Sequence, residues 1–103
     1  MSRRYNRRLG NDWTTRGRVF TALGDEHRQR ILLMFERGEE LTIKDIAEAA
    51  PLSRTAVAHH VRVLRESGVL VAEKRGRAVH LRTNPRVVVE AMKGVLEYIR
   101  KQM

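Results

Sequence analysis

Cysteine is absent from the 103 residues, and with it go disulfides, thiolate metal ligands, cysteine nucleophiles and thiol redox switches. Long apolar runs are absent as well. The cleanest are Ile31 to Phe35 and Val69 to Ala72, far short of the ~20 residues of a membrane-spanning helix. The pair Arg3-Arg4 leads into Arg7 and Arg8 rather than an apolar segment, so it does not read as an export signal. A cytoplasmic protein with no membrane partner is expected. Acidic side chains are scarce, 12 Asp and Glu against 21 Lys and Arg, which gives a net charge of +9 and a pI near 11.2. Such an imbalance favours a polyanionic partner, nucleic acid first. The chain is too short for a large enzyme fold. None of its four histidines, His27, His59, His60 and His80, has the neighbours of a catalytic set, so no catalytic residue and no cofactor are expected. The chain is nevertheless 42% apolar, enough to bury a single core.

The positive charge is positional. Residues 1–18 hold six Arg and one Asp, net +5; residues 19–52 are net −3; residues 53–82 are net +5; residues 83–103 add +2. Two basic segments thus flank an acidic one. No internal repeat, low-complexity tract or linker divides the chain. Residues 1–10 read as a flexible basic arm and 11–103 as one domain.

Helix signals then recur. Asn11 or Asp12 is the expected cap of a first helix that carries Trp13, Val19, Phe20 and Leu23 and ends near Gly24. Asp25 caps a second, with Ile31, Leu32, Met34 and Phe35 facing inward and Gly38 placed just past its end. Thr42 and Asp45 form a capping-box variant for a short third helix with Ile43, Ile46 and Ala47 inside, stopped at Ala50-Pro51. Ser53 caps a fourth, running to about Ser67 and closed by Gly68. At about 100° per residue, Val57, Val61 and Leu64 share its inner face with His60 at the margin. Thr55, His59, Arg62 and Glu66 lie opposite, flanked by Arg54 and Arg65.

Beyond Gly68 the period changes to that of strands. Residues 69–74 and 78–82 read as a hairpin around Arg75-Gly76-Arg77, with a basic tip. Asn84 and Pro85 then start a last helix, on which Val88, Met92, Val95 and Ile99, widened by Val89, Ala91 and Leu96, form an apolar stripe. The expected fold is mainly α with a small β-hairpin: a winged helix-turn-helix. A helix of this kind fits a major groove, and a basic hairpin reaches the neighbouring backbone or minor groove.

Two segments, residues 22–32 (ALGDEHRQRIL) and 52–70 (LSRTAVAHHVRVLRESGVL), resemble the ArsR/SmtB family of bacterial winged-helix repressors. The likeness covers roughly residues 18–84. It implies a homodimer held by the first and last helices, reading a palindromic operator and repressing transcription until an effector weakens DNA binding. The chain also departs from the family's sensing sites. Where metal-sensing members carry a Cys-x-Cys pair, this sequence has Thr42 and Lys44, which cannot replace soft thiolates. Residues 84–103 contain no histidine for a zinc site on the last helix. No metal ligand is therefore assigned, and the identity of any small-molecule or metal effector stays open. Adjacent His59 and His60 point about 100° apart and do not share one ion readily.

For DNA contact the sequence singles out Ser53, Arg54, Thr55, His59 and Arg62 on the helix and Lys74, Arg75 and Arg77 on the hairpin. Arg54 and Thr55, in the first helical turn, are placed for base edges and Arg62 for phosphate. Arg3, Arg4, Arg7 and Arg8 of the arm either follow the DNA or only solubilise the chain. A protein-docking module using the acidic segment around Glu36, Glu39, Glu40 and Glu48, and a nonspecific DNA-coating protein, remain alternatives.

Overall fold

The computed structural model describes Tyr5 and residues 8–103; Arg3, Arg4 and Arg7 of the arm lie outside the described residues. Helix α1 spans Asn11–Leu23 and is capped by Gly10 in extended backbone rather than by Asn11 or Asp12. The helix begins one residue early because Asp12 works from inside the first turn, its carboxylate accepting the Trp13 N–H at 2.9 Å near the positive end of the helix dipole. Helix α2, Glu26–Leu33, starts as expected, with Asp25 accepting the Arg28 N–H at 3.1 Å. It stops well before Gly38. The N–H groups of Met34 and Phe35 turn back to the carbonyls of Ile31 and Leu32, the tighter spacing that closes many helices. Gly38, at φ 76°, instead serves a separate turn in which the Glu36 and Glu39 backbones are bonded.

Helix α3, Ile43–Ala49, carries the full capping box: Thr42 Oγ1 accepts the Asp45 N–H at 3.1 Å and Asp45 Oδ2 accepts the Thr42 N–H at 2.8 Å. Ala50 is extended, as a residue before proline must be. Helix α4 runs Arg54–Glu66, with Ser53 Oγ accepting the Ala56 N–H at 3.0 Å. Gly68 then leaves the helix at φ 82°, a left-handed conformation open to glycine at little cost. Strands β1, Leu70–Arg75, and β2, Ala78–Thr83, pair antiparallel from Leu70↔Thr83 to Arg75↔Ala78. The connection is two residues, Gly76-Arg77, one fewer than the three expected, since Arg75 pairs with Ala78. Gly76 supplies the positive φ, 61°, at the first position of such a turn. Leu41 exchanges both backbone hydrogen bonds with Leu81, at 3.0 and 2.8 Å, extending the sheet by one residue beyond β2. Helix α5, Pro85–Lys101, closes the chain.

One core joins all these elements. Val19 and Ala22 of α1, Ile31 of α2, Ile46 of α3 and Val57, Val61 and Leu64 of α4 meet Leu70 and Leu81 of the hairpin and Ala91 of α5, each 4% exposed or less. Val19 thus belongs to the interior. Among the described residues no buried side-chain polar atom lacks a hydrogen bond, and no helix is long and apolar enough to cross a membrane.

Candidate nucleic-acid interface

Helix α4 divides sharply between its faces. Val57, Val61 and Leu64 are at most 2% exposed, while Arg54, Thr55, His59, Arg62, Arg65 and Glu66 are solvent-exposed, as is the capping Ser53. Burial of one face fixes the helix and leaves the other as a polar row. Ser53 Oγ is committed to the Ala56 N–H, so the Arg54 and Thr55 amides at the positive end of the helix remain for an external acceptor. Thr55, His59 and Arg62 share the face opposite the buried residues, and Ser53 and Arg54 are exposed at the N-terminal end of the helix on its flanks.

The hairpin does not gather its cations in the same way. Cross-strand partners share a face and successive residues alternate. Lys74, opposite Val79, lies on the face of the Ala72 and Leu81 pair, whereas Arg75, opposite Ala78, lies on the face of Glu73, His80 and Arg82. Arg77 sits in the turn and is exposed. Arg75 is also occupied: its Nη2 donates to Glu40 Oε1, and its Nε is 3.7 Å from Glu73 Oε1. The Arg75 hydrogen bond holds the Glu40 carboxyl below its ordinary pKa, and Arg75 is raised in turn. Sequence reasoning placed Glu40 only in the acidic segment and missed its pairing with Arg75, 35 residues away in the chain. The only signal available was the alternation of acidic and basic segments.

A second unpredicted pairing supports α4 from behind. Arg28 donates from Nε to the Ala22 carbonyl and from Nη2 to the Thr21 carbonyl, both at 2.9 Å, while its Nη1 lies 3.2 Å from His60 Nδ1. One guanidinium therefore fastens the end of α1, the start of α2 and the middle of α4. His60 sits at the core margin as expected, and its partner there is this side chain. As an acceptor from Arg28, its Nδ1 carries no proton. Burial, opposed by Asp25 Oδ1 at 4.0 Å and reinforced by Arg28, His59 and His27, pushes its pKa below the ordinary 6.5. The unfolded chain then binds more protons, so stability is fully present above pH 6.5 and declines as pH falls through that value toward the folded pKa. Between pH 7.5 and 5.5, thermal denaturation of the wild type should show a falling Tm, and His60→Gln should flatten that slope; an equal slope in both would remove His60 as its source.

The His27 and His59 rings lie 5.7 and 5.6 Å from that of His60. Among the described residues, however, no group of three or more potential ligands is arranged to hold a metal ion. His80 is half-buried on the wing.

Helix α5 lies along α1 through an interlocked set. Trp13 meets Tyr98 edge-on at 5.3 Å, and the Arg16 guanidinium covers the Trp13 ring at 4.7 Å and crosses Gly94, where any Cβ would overlap it. The apolar stripe then divides. Ala91 is buried and Val88 and Val95 are half-buried, while Val89, Met92, Leu96 and Ile99 stay 44–51% exposed.

A family described as a helix-turn-helix domain matches residues 23–72. Over 82 residues the chain is 37% identical to the arsenic resistance transcriptional regulator ArsR1 of Pseudomonas putida, covering 77% of this chain and 64% of that protein, slightly under two thirds of its length. It is 29% identical over 83 residues to the transcriptional repressor SdpR of Bacillus subtilis, covering 81% of this chain and 91% of the repressor. Among solved structures, an ArsR-like transcriptional regulator from Rhodococcus sp. RHA1 superposes with a TM-score of 0.78 at 28% identity, over 90% of this chain and 86% of that one.

Proposed function

The chain belongs to the ArsR family of winged helix-turn-helix transcriptional regulators, and we propose that it is a dimeric, sequence-specific DNA-binding repressor. The observation that carries this reading is the two-faced α4: a buried apolar side that immobilises the helix, an exposed row of Thr55, His59 and Arg62 on the other, and Ser53 and Arg54 exposed at its N-terminal end. Such a helix enters the major groove, with its first turn at base edges and Arg62 at phosphate. The wing adds Arg77 and Lys74, which neutralise phosphate without reading sequence.

The exposed stripe of α5, Val89, Met92, Leu96 and Ile99, supports self-association. Two copies related by a two-fold axis would set their α4 helices in successive major grooves about 34 Å apart and so read a palindrome. Repression is the role for which the similar SdpR of Bacillus subtilis is named, and it is proposed here by that similarity. The residues at the family's cysteine position, Thr42 and Lys44, are engaged within the protein: Thr42 in the capping box, Lys44 within 4.0 Å of Glu48.

Selection of bound duplexes from a random pool tests the proposal. A repressor enriches a palindromic motif; uniform recovery of all sequences points to a coating protein, and failure to retain duplex points to a protein-docking module. On the enriched motif, Arg54→Ala should cost about 1–3 kcal/mol relative to wild type. Fluorescence anisotropy decides the role: a loss confined to the motif marks a base-edge contact, and an equal loss on unrelated duplex marks a phosphate contact.

A further inference from the structure

Arg75 has the position of a DNA-contacting wing residue but already holds an oxyanion. Leu41 pairs with Leu81, so its side chain shares the inner face of the sheet and that of Glu40 turns to the outer face, where Arg75 lies across from Ala78. From this position Arg75 Nη2 donates to Glu40 Oε1. Glu73 flanks the same guanidinium at 3.7 Å, and His80 and Arg82 share the face. Both side chains of the pair remain partly open to solvent, 49% for Arg75 and 34% for Glu40. Carboxylate and phosphate present similar oxygens to a guanidinium fork, so DNA and Glu40 compete for one group. Arg77, two residues on, has no carboxylate partner among the described residues.

We infer that Glu40 is an internal substitute for DNA phosphate: it occupies Arg75 in the free protein, and its release or retention sets how strongly the wing grips a duplex. The inference rests on the DNA-binding reading above and assigns to Glu40 an affinity-setting role exerted only through Arg75.

A double-mutant cycle with wild type, Glu40→Gln, Arg75→Gln and the double variant tests it. Affinity for one mixed-sequence duplex is read by anisotropy across a salt series, with circular dichroism to verify folding. Glu40→Gln should tighten binding about three- to fivefold, the scale of one released surface ion pair. It should also steepen the dependence of log K on log salt by about 0.9, the signature of one added phosphate contact. In the Arg75→Gln background the same substitution should change neither quantity measurably. An equal gain in both backgrounds would reduce Glu40 to long-range repulsion, and a loss of affinity in Glu40→Gln would make the pair a brace for the wing; either overturns the inference. Absence of duplex binding by the wild type itself removes the DNA-binding reading, and this inference with it.

Discussion

Leu96→Glu is expected to convert the protein to monomers and to lower its affinity for a palindromic duplex by about 10²–10⁴-fold, the range by which avidity exceeds single-site binding. Leu96 is 48% exposed and lies outside the core, so the folded chain tolerates the change. In the proposed dimer the two-fold axis brings the α5 stripes together. Each new carboxylate would then be desolvated in an apolar interface beside its symmetry mate, a placement with no compensating partner. Sedimentation of wild type and variant at matched concentration, with anisotropy on half-site and full-site duplexes, separates the outcomes. The variant should bind the full site no better than the half site. A variant that sediments as a dimer and keeps its full-site affinity would place the self-association surface elsewhere.

Leu64→Ala should remove about 2–5 kcal/mol of stability, the usual cost of a large cavity in a packed core. Leu64 is 0% exposed and sits on the inner face of α4, directly behind the row proposed to meet DNA. For a domain whose whole stability is about 5–15 kcal/mol, such a loss lowers Tm by at least about 8 °C. His59→Ala on the opposite face should stay within about 0.5 kcal/mol while lowering duplex affinity. Denaturant titrations at one fixed protein concentration make the comparison, since association shifts apparent stability. A Leu64→Ala cost under about 1 kcal/mol would contradict the rigid placement of α4.

Much of the architecture was legible because its signals are local. Thr42 with Asp45, Ser53 before a run of period 3.6, and Asn84-Pro85 each announce a helix start within four residues, and all three hold. Gly38 shows the limit. A positive φ is demanded equally by a helix end and by a free turn, and only the backbone bonds of Met34 and Phe35 reveal that α2 has already stopped. The polar row of α4 was readable for the same local reason. The partners of Arg75 and His60 were not, since Glu40 and Arg28 are brought to them by the fold from 35 and 32 residues away. Charge and periodicity identify which residues are exposed or buried; they do not identify which oppositely charged or hydrogen-bonding groups will meet.

The one-residue pairing of Leu41 with Leu81 has a bearing on solubility. It covers part of the outer edge of β2, which leaves β1 as the open edge of a small sheet, a template on which other chains could add strands. That edge ends in Glu73, Lys74 and Arg75, charged side chains of the type that discourages edge-to-edge growth. The wing cations therefore guard against aggregation as well as serving any contact with DNA, and wing variants made neutral to weaken DNA binding should be compared with charge-reversed ones, which keep the edge protected.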